Sequence, residues 1–273
     1  MVATFLVVPQ WQGSGSSRAM RLAEGAGTIR GDLPGSATRY VEVPPEAGTD
    51  EGSTVLRLSS LRQVRDAQLT SLAGIPGLVI TIGGDCGADL ASVQHAAVQH
   101  EEMAVVWIDA HADLNSPEES PSRAFHGMVL RTLLGDGPQA LLANPPLSPR
   151  RVILAGTRAL DGGELAYIET VGIPILTPDS LTAESLTEAL AASGATSVYL
   201  HVDLDVLDPA EFGSVGYPEP FGVSLDNLLS VIAAAKAALP LAGAAVTEFA
   251  PASPDAAADD LGSILRIIGA LAS

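Results

Sequence analysis

Three side chains that can bind a metal ion follow one apolar segment of the sequence. Residues 103–108 are apolar and rich in β-branched side chains, which predicts a buried strand. Asp109, His111 and Asp113 follow at a spacing of two, which in an extended segment places all three on one face. Such a convergence is costly to desolvate unless an opposite charge joins it, so the spacing predicts a divalent cation. The simpler alternative is a helix cap at Asp109 and a turn at Asp113.

A second segment repeats this arrangement. Residues 198–205 predict a long strand on which His201, Asp203 and Asp205 share one face. One carboxylate on a strand inside a sheet could be a structural cap, but two beside Asp109 favour a binuclear metal centre. Carboxylates with one or two imidazoles suit a hard ion such as manganese. Two such ions, about 3.5–4 Å apart, would share a water molecule and convert it into a nucleophile at neutral pH.

The rest of the chain predicts the elements that position these residues. Short apolar segments alternate with amphipathic ones, which predicts a mainly parallel sheet with helices on both faces. In such sheets ligands bind at the carboxyl ends of the strands, where the acidic residues lie. The predicted strands are 2–8, 40–43, 78–82, 103–108, 151–155, 173–176, 198–205 and 244–249. The predicted helices are 53–72 (with Ser53 as its cap), 88–100, 127–134, 164–171, 181–192, 224–239 and 256–271.

Composition limits the classes of function. The 273 residues are 47% hydrophobic and 17% charged, which suits one globular α/β domain spanning residues 1–273. Fourteen Lys and Arg against 32 Asp and Glu give a net charge of -18 without a basic cluster. Nucleic acid and membrane surfaces are therefore poor partners, whereas metal cations and cationic substrates are favoured.

The cysteine content and the apolar segments bear on the expected cell compartment. The single cysteine, Cys86, excludes an intramolecular disulfide, and the apolar N-terminal residues lack a basic lead-in. Gly, Pro and charged residues interrupt each apolar stretch before it reaches membrane-spanning length. We therefore expect a cytoplasmic protein.

The motifs together resemble one family. Asp-Ala-His-Ala-Asp at 109–113, Asp-Leu-Asp at 203–205 followed by Leu-Asp-Pro at 207–209, and Thr-Glu at 247–248 before Pro251 match the ureohydrolases of the arginase and agmatinase family in order and spacing. The resemblance runs from about residue 79 to residue 251. It implies a three-layer α/β/α sandwich around a mainly parallel sheet. It also implies two manganese ions bridged by hydroxide.

The resemblance implies roles for individual residues. His126 matches the family histidine that transfers protons, and Glu248 matches the glutamate that pairs with the guanidinium group. One ion would be held by Asp109, His111, Asp203 and Asp205, and the other by Cys86, Asp109, Asp113 and Asp203.

The substrate implied is a small guanidino amino acid. Asn115 and Ser122, with His126 thirteen positions after Asp113, resemble the loop with which arginases bind an α-carboxylate. Asp161 and Glu164, after Gly-Thr-Arg at 156–158, resemble the carboxylates that hold the α-ammonium group. Agmatine lacks the α-carboxylate and is disfavoured. The sequence leaves homo-oligomerisation open.

Two residues depart from the family pattern. Cys86 stands where the family motif Gly-Gly-Asp-His has a metal-ligating histidine, and Tyr217 stands where arginases usually have threonine. The cysteine resembles a specialised branch that hydrolyses Nω-hydroxy-L-arginine to L-ornithine and hydroxyurea in D-cycloserine biosynthesis. It implies that the manganese ion near Cys86 is weakly held. The alternatives are an ordinary arginase and a metal-poor, catalytically silent subunit. For His201, the family position favours a supporting role over ligation.

Overall fold

A single parallel sheet runs through the molecule. The computed structural model describes residues 3–273, and within that range eight strands pair in the order β2-β1-β3-β8-β7-β4-β5-β6, with every neighbouring pair parallel. The predicted α/β fold with a mainly parallel sheet is confirmed. The strands are β1 (Thr4–Val8), β2 (Thr38–Tyr40), β3 (Val79–Gly83), β4 (Met103–Ile108), β5 (Val152–Ala155), β6 (Ile175–Leu176), β7 (Ser197–Asp203) and β8 (Leu241–Thr247).

Helices cover both faces of the sheet because the central strands are apolar on both sides. On β4, Val106 and Ile108 pack into one core with side chains of the sixth, seventh and eighth helices, whereas Val105 and Trp107 pack into the opposite core. This gives the predicted three layers. The helices are α1 (Met20–Gly31), α2 (Leu58–Leu72), α3 (Leu90–Gln99), α4 (Val129–Leu133), α5 (Gly162–Val171), α6 (Ala183–Ser193), α7 (Leu225–Ala238) and α8 (Pro254–Ala272).

The first helix was not predicted. α1 contains three glycines, which weaken its helical pattern, yet Leu22, Ala26 and Ile29 are buried on one face at helical spacing. Gly25 explains part of this composition, because a Cβ atom there would lie 2.0 Å from the carbonyl oxygen of Phe249. Close contact between α1 and the chain after β8 therefore requires a residue without a side chain.

Several predicted boundaries differ from the structure. The second helix begins at Leu58, so the prediction of a cap at Ser53 is wrong. The Ser53 hydroxyl instead donates to the carbonyl oxygen of Asp50, within a turn that precedes the helix. The second strand lies at Thr38–Tyr40, ahead of its predicted position, at one edge of the sheet. Residue 2 of the predicted first strand lies outside the described residues.

The helices give no sign of a membrane span. Across the described range, each helix is either too short or too polar to cross a bilayer.

Candidate active site

The candidate ligands lie at the carboxyl ends of the four central strands. Cys86 follows β3, Glu248 follows β8, Asp203 ends β7 and Asp109 follows β4. These strands are consecutive in the sheet, although the first two residues are 162 positions apart in sequence. Parallel pairing therefore brings together side chains that the sequence separates.

The chain leaves these strands in tight bends, which corrects two geometric predictions. Residues 109–111 form a bend, and Asp113 has a left-handed backbone with φ of 53°. Asp205 lies in the 3-10 turn Leu204–Val206, where its N–H donates to Asp203 Oδ1 at 2.8 Å. Strand alternation thus does not position Asp113 or Asp205. Short polar side chains that accept hydrogen bonds from nearby backbone N–H groups stabilise such bends.

One group of potential metal ligands consists of Asp109, His111 and Asp205. One ligand atom from each lies within 4.8 Å of the others. His111 Nδ1 is 3.0 Å from Asp205 Oδ2 and 3.5 Å from Asp109 Oδ1. Burial alone would lower the pKa of His111, but hydrogen bonds to Asp109 and Asp205 outweigh it and raise that pKa. A divalent cation would take the place of the imidazole proton between the two carboxylates.

A second group consists of Cys86, Asp109, His201 and Asp203. One ligand atom from each lies within 4.8 Å of the others, and all four residues are buried. Cys86 Sγ lies 3.0 Å from Asp203 Oδ2 and donates to it. Asp109 belongs to both groups, so the two potential metal positions adjoin. His201 stands in this second group, where the sequence favoured only a supporting role.

Burial of these groups without a counter-charge is unfavourable. Burial, and then repulsion by Asp205 and Asp109, raises the pKa of Asp203 well above its ordinary value. The Cys86 thiol also has a strongly raised pKa, from burial and then from repulsion by Asp203. Both shifts reflect a low-dielectric site with excess negative charge, which a cation would neutralise.

Buried polar atoms without hydrogen-bond partners also indicate that a cation belongs in this site. Within residues 3–273, Asp113 Oδ2, Glu248 Oε2 and His201 Nε2 are buried and lack a hydrogen-bond partner. Asp113 and Glu248 line the same cavity, and His201 belongs to the ligand group that Cys86 shares. Among the described residues, Asp113 belongs to neither of the two groups of potential metal ligands. The donor set of carboxylates, imidazoles and one sulfur therefore fits a metal centre.

Glu248 and His126 lie together at the wall of the cavity. His126 Nδ1 is 3.6 Å from Glu248 Oε1, which also accepts the backbone N–H of Cys86 at 3.3 Å. Burial opposes the charged imidazole, but the contact with Glu248 outweighs it and raises the pKa of His126. The ring of Tyr217 lies against His126, with 5.0 Å between the ring centres. Glu248 has a positive φ of 66°, a strained conformation that turns its side chain toward the cavity.

The cavity has a volume of about 450 Å³ and joins the metal ligands to the predicted substrate residues. Asn115 donates from Nδ2 to Asp161 Oδ2 at 3.0 Å, so these two side chains form a pair at the cavity. Ser122 lies at the exposed rim. The predicted site residues that line the cavity are Cys86, His111, Asp113, Asn115, Ser122, His126, Asp161, Glu164, Asp203, Asp205 and Glu248, while Asp109 is fully buried beneath it.

Glu164 has a second task besides lining the cavity. Its Oε1 accepts the N–H of Leu114 at 3.0 Å, and its Oε2 accepts the N–H of Asp161 at 2.9 Å. The second contact completes a capping box at the start of α5. Both oxygens are therefore engaged by the backbone of the two loops that carry Asp113 and Asp161.

Sequence reasoning missed some residues that position the site. Arg158 donates to the carbonyl oxygens of Asp205 and Glu219 at 2.9 and 2.7 Å, and so holds two loops at the cavity. Trp107 donates to Asp109 Oδ2 at 3.0 Å, and Asp89 accepts from His201 Nδ1 at 2.9 Å. The sequence signal for Asp89 is an acidic residue three positions after Cys86, at the start of a predicted helix.

The fold and the site define a class: a three-layer α/β protein with a buried carboxylate, imidazole and thiol cluster beneath a substrate-sized cavity. A model of the arginase family matches residues 28–263. The chain is 36% identical over 146 residues to an arginase of Staphylococcus aureus (50% of this chain, 48% of that protein). It is 33% identical over 205 residues to an arginase of Bacillus caldovelox (69% of this chain, 65% of that protein).

Structural similarity extends over the whole chain. The structure of Entamoeba histolytica arginase in complex with L-ornithine superposes with a TM-score of 0.87 at 24% identity and covers 98% of this chain and 97% of that one. The sequence alignments, by contrast, span about half to two thirds of the length of the curated arginases. The chain belongs to the arginase family. The predicted family membership is confirmed.

Proposed function

We propose that this protein is a binuclear manganese amidinohydrolase whose preferred substrate is Nω-hydroxy-L-arginine, which it would hydrolyse to L-ornithine and hydroxyurea. The observation that carries the proposal is the pair of adjoining ligand groups that share Asp109 at the floor of the cavity. The buried oxygens of Asp113 and Glu248 that lack partners within residues 3–273 support it.

The proposed ligands are the six residues that the family resemblance assigns. Asp109 and Asp203 would contribute to both ions, His111 and Asp205 to one, and Cys86 and Asp113 to the other. When bound, the two ions would supply a nucleophile at neutral pH by lowering the pKa of a water molecule.

Glu248 and His126 are the proposed catalytic residues besides Asp113. Glu248 Oε2 is free of partners among the described residues, so it can accept hydrogen bonds from the guanidine nitrogens. This contact would hold the guanidine carbon over the ligand groups. His126 carries a proton readily, because Glu248 raises the pKa of its imidazole against the effect of burial. It would donate that proton to the nitrogen of the departing amine.

Recognition of the amino-acid part falls to the opposite end of the cavity. Asn115 and Ser122 would bind the α-carboxylate, and Asp161 would bind the α-ammonium group. Asn115 and Asp161 already contact each other, which fixes both side chains before substrate binds. Glu164 would support this end through its two backbone contacts.

Cys86 is the reason for proposing the N-hydroxy substrate. Sulfur is a soft ligand and manganese a hard ion, so residue 86 should hold manganese less tightly than an imidazole would. The N-hydroxy oxygen can itself act as a metal ligand and block a tighter centre. A looser site would reduce that inhibition.

Turnover of three substrates tests the proposal. We expect purified protein with manganese to release hydroxyurea from Nω-hydroxy-L-arginine at a higher kcat/KM than it releases urea from L-arginine, and to act weakly on agmatine. Cys86→His should tighten manganese binding and shift the preference toward L-arginine. Unchanged affinity together with unchanged preference would make Cys86 a neutral substitution.

An ordinary arginase is the second candidate. The curated relatives that match this chain at 33–36% identity are named arginases, which favours L-arginine. A higher kcat/KM for L-arginine than for its N-hydroxy derivative would establish this alternative. A silent subunit would instead bind little manganese and turn over none of the three compounds.

A further inference from the structure

His201 occupies a defined position beneath the site. It pairs with Trp107 in the register of β7 and β4, and the two rings stack with 3.5 Å between centres and 6° between planes. The His201 side chain is fully buried. Strand register and stacking together fix the plane of the imidazole, so the direction of each ring nitrogen is determined.

One ring nitrogen is engaged away from the cavity. His201 Nδ1 lies 2.9 Å from Asp89 Oδ2, and Tyr199 donates its hydroxyl to the other oxygen of Asp89. A carboxylate accepts hydrogen bonds, so Nδ1 carries the proton and Nε2 keeps its lone pair in the neutral ring. The same carboxylate–histidine arrangement orients and polarises histidines that bind metals in other proteins.

The other ring nitrogen is left for the ligand group. Nε2 has no hydrogen-bond partner anywhere in residues 3–273. A nitrogen of this ring lies within 4.8 Å of ligand atoms of Cys86, Asp109 and Asp203. A buried lone pair beside two carboxylates is unfavourable unless a cation or a donor faces it.

We propose that His201 Nε2 is a ligand of the metal ion held beside Cys86. The inference rests on the metal-dependent function proposed above. It replaces the supporting role that the sequence favoured for His201. It also gives Cys86 a physical context, because an imidazole from β7 enters the ligand group in which residue 86 supplies sulfur in place of a family histidine.

With His201 as a ligand, the metal site beside Cys86 has a different ligand set from the family pattern but still includes an imidazole. Cys86, Asp109, His201 and Asp203 together supply sulfur, nitrogen and carboxylate oxygen, a donor set that retains an ion better than the same residues without the imidazole. Asp89 acts as a positioning residue, since its carboxylate selects the tautomer in which Nε2 is unprotonated.

Metal binding in single variants tests the inference without reference to turnover. His201→Gln should lower the affinity of the weaker manganese site about 100-fold or more, beyond the roughly 10- to 100-fold loss typical of removing a residue that only orients a ligand. Asp89→Asn presents an N–H to Nδ1, moves the ring proton to Nε2, and should lower the affinity about 10- to 100-fold. His95→Gln is the matched control, because His95 lies on α3 and contacts Gln99. It should bind manganese normally.

A double variant separates ligation from packing. If residue 86 again offers an imidazole, His201 becomes less necessary, so Cys86→His should restore most of the affinity that His201→Gln loses. Pulsed EPR of the manganese-loaded protein labelled with ¹⁵N-histidine gives a direct readout. The wild-type protein should show coupling from two imidazole sites, and His201→Gln should retain the coupling from His111 alone.

Each outcome decides the inference. Wild-type affinity and unchanged ¹⁵N coupling in His201→Gln would overturn it and leave the proposed function intact, provided that the wild-type protein still hydrolyses its substrate. Wild-type protein that binds no manganese would overturn both. If His201→Gln does not fold, the coupling in wild-type protein and the affinity of Asp89→Asn decide, and a single imidazole coupling would refute the ligand role.

Discussion

Glu164 offers a sharp test of how the substrate loops are held. The residue is only 4% exposed, and its two carboxylate oxygens accept the N–H groups of Leu114 and Asp161. Gln at this position keeps the shape but turns one acceptor into a donor that faces a backbone N–H. A hydrogen bond to a charged group contributes about 1.5–3 kcal/mol, so we expect Glu164→Gln to lower the free energy of unfolding by about that amount.

The loss of kcat/KM in Glu164→Gln should extend to substrates with and without an α-carboxylate. Leu114 follows Asp113 directly, so release of its N–H disturbs a proposed metal ligand as well as the amino-acid end of the cavity. We therefore expect kcat/KM to fall for guanidino amino acids and for agmatine alike. Urea denaturation followed by tryptophan fluorescence measures the stability, and steady-state assays with both substrate types measure the kinetics.

Glu169→Gln is the matched control, because Glu169 lies exposed on the same helix, α5. It should change the free energy of unfolding by no more than about 0.5 kcal/mol. Unchanged stability in Glu164→Gln, combined with a loss confined to substrates that carry an α-ammonium group, would refute the reasoning. Glu164 would then bind substrate directly and its backbone contacts would be dispensable.

Three further predictions follow from the site. Asp203→Ala should remove most bound metal and activity, because Asp203 would contribute to both ions; metal analysis after dialysis checks this, and near-normal content would contradict a binuclear centre. Asn115→Ala should lower kcat/KM for guanidino amino acids about 10- to 100-fold, since bonds worth roughly 1.5–3 kcal/mol are lost, and should change agmatine turnover little; equal losses would mean that Asn115 only supports Asp161. The metal-free protein should unfold at lower temperature as the pH rises from about 5 to about 8. Burial and then Asp109 raise the pKa of Asp205 to about 6, and burial and then Glu248 raise the pKa of Asp85 to about 7, both from 3.8. The folded state therefore binds protons that the unfolded state has lost, and stability falls as they are released, by at most about 1.4 kcal/mol per pH unit for each group. Calorimetry across this range measures the trend, which saturating manganese should weaken by binding Asp205 in its ionised form; a stability that rises with pH in the metal-free protein would contradict it.

Local signals were sufficient for the sheet. Residues 103–108 form β4 as predicted, because a short β-branched apolar segment is a strand signal that needs no partner to be recognised. α1 escapes prediction because its three glycines weaken the helical pattern, and one of them, Gly25, is required by a contact with Phe249, which is distant in sequence. Hydroxyl residues favour the N-cap position, which predicts a cap at Ser53, but the Ser53 hydroxyl instead stabilises the turn before α2.

In the candidate site, too, the sequence predicts some features and the tertiary structure sets others. The residue types and their place after strands predicted which carboxylates gather, since parallel strands end at one edge of the sheet. Spacing did not predict the directions of Asp113 and Asp205, because the chain bends after both strands and local hydrogen bonds set those bends.

The sequence by itself thus determined the chemistry: acidic and imidazole ligands, a family motif, and a thiol where a histidine is expected. Only the tertiary structure decided which atoms are free to act. The register between β4 and β7 stacks His201 on Trp107 and places a nitrogen of its ring in the ligand group of Cys86, while both oxygens of Glu164 are taken by backbone N–H groups. The stacking on Trp107 and the contact of Glu164 with Leu114 join residues that are distant in sequence, and such pairings depend on strand order and loop paths that no local pattern contains.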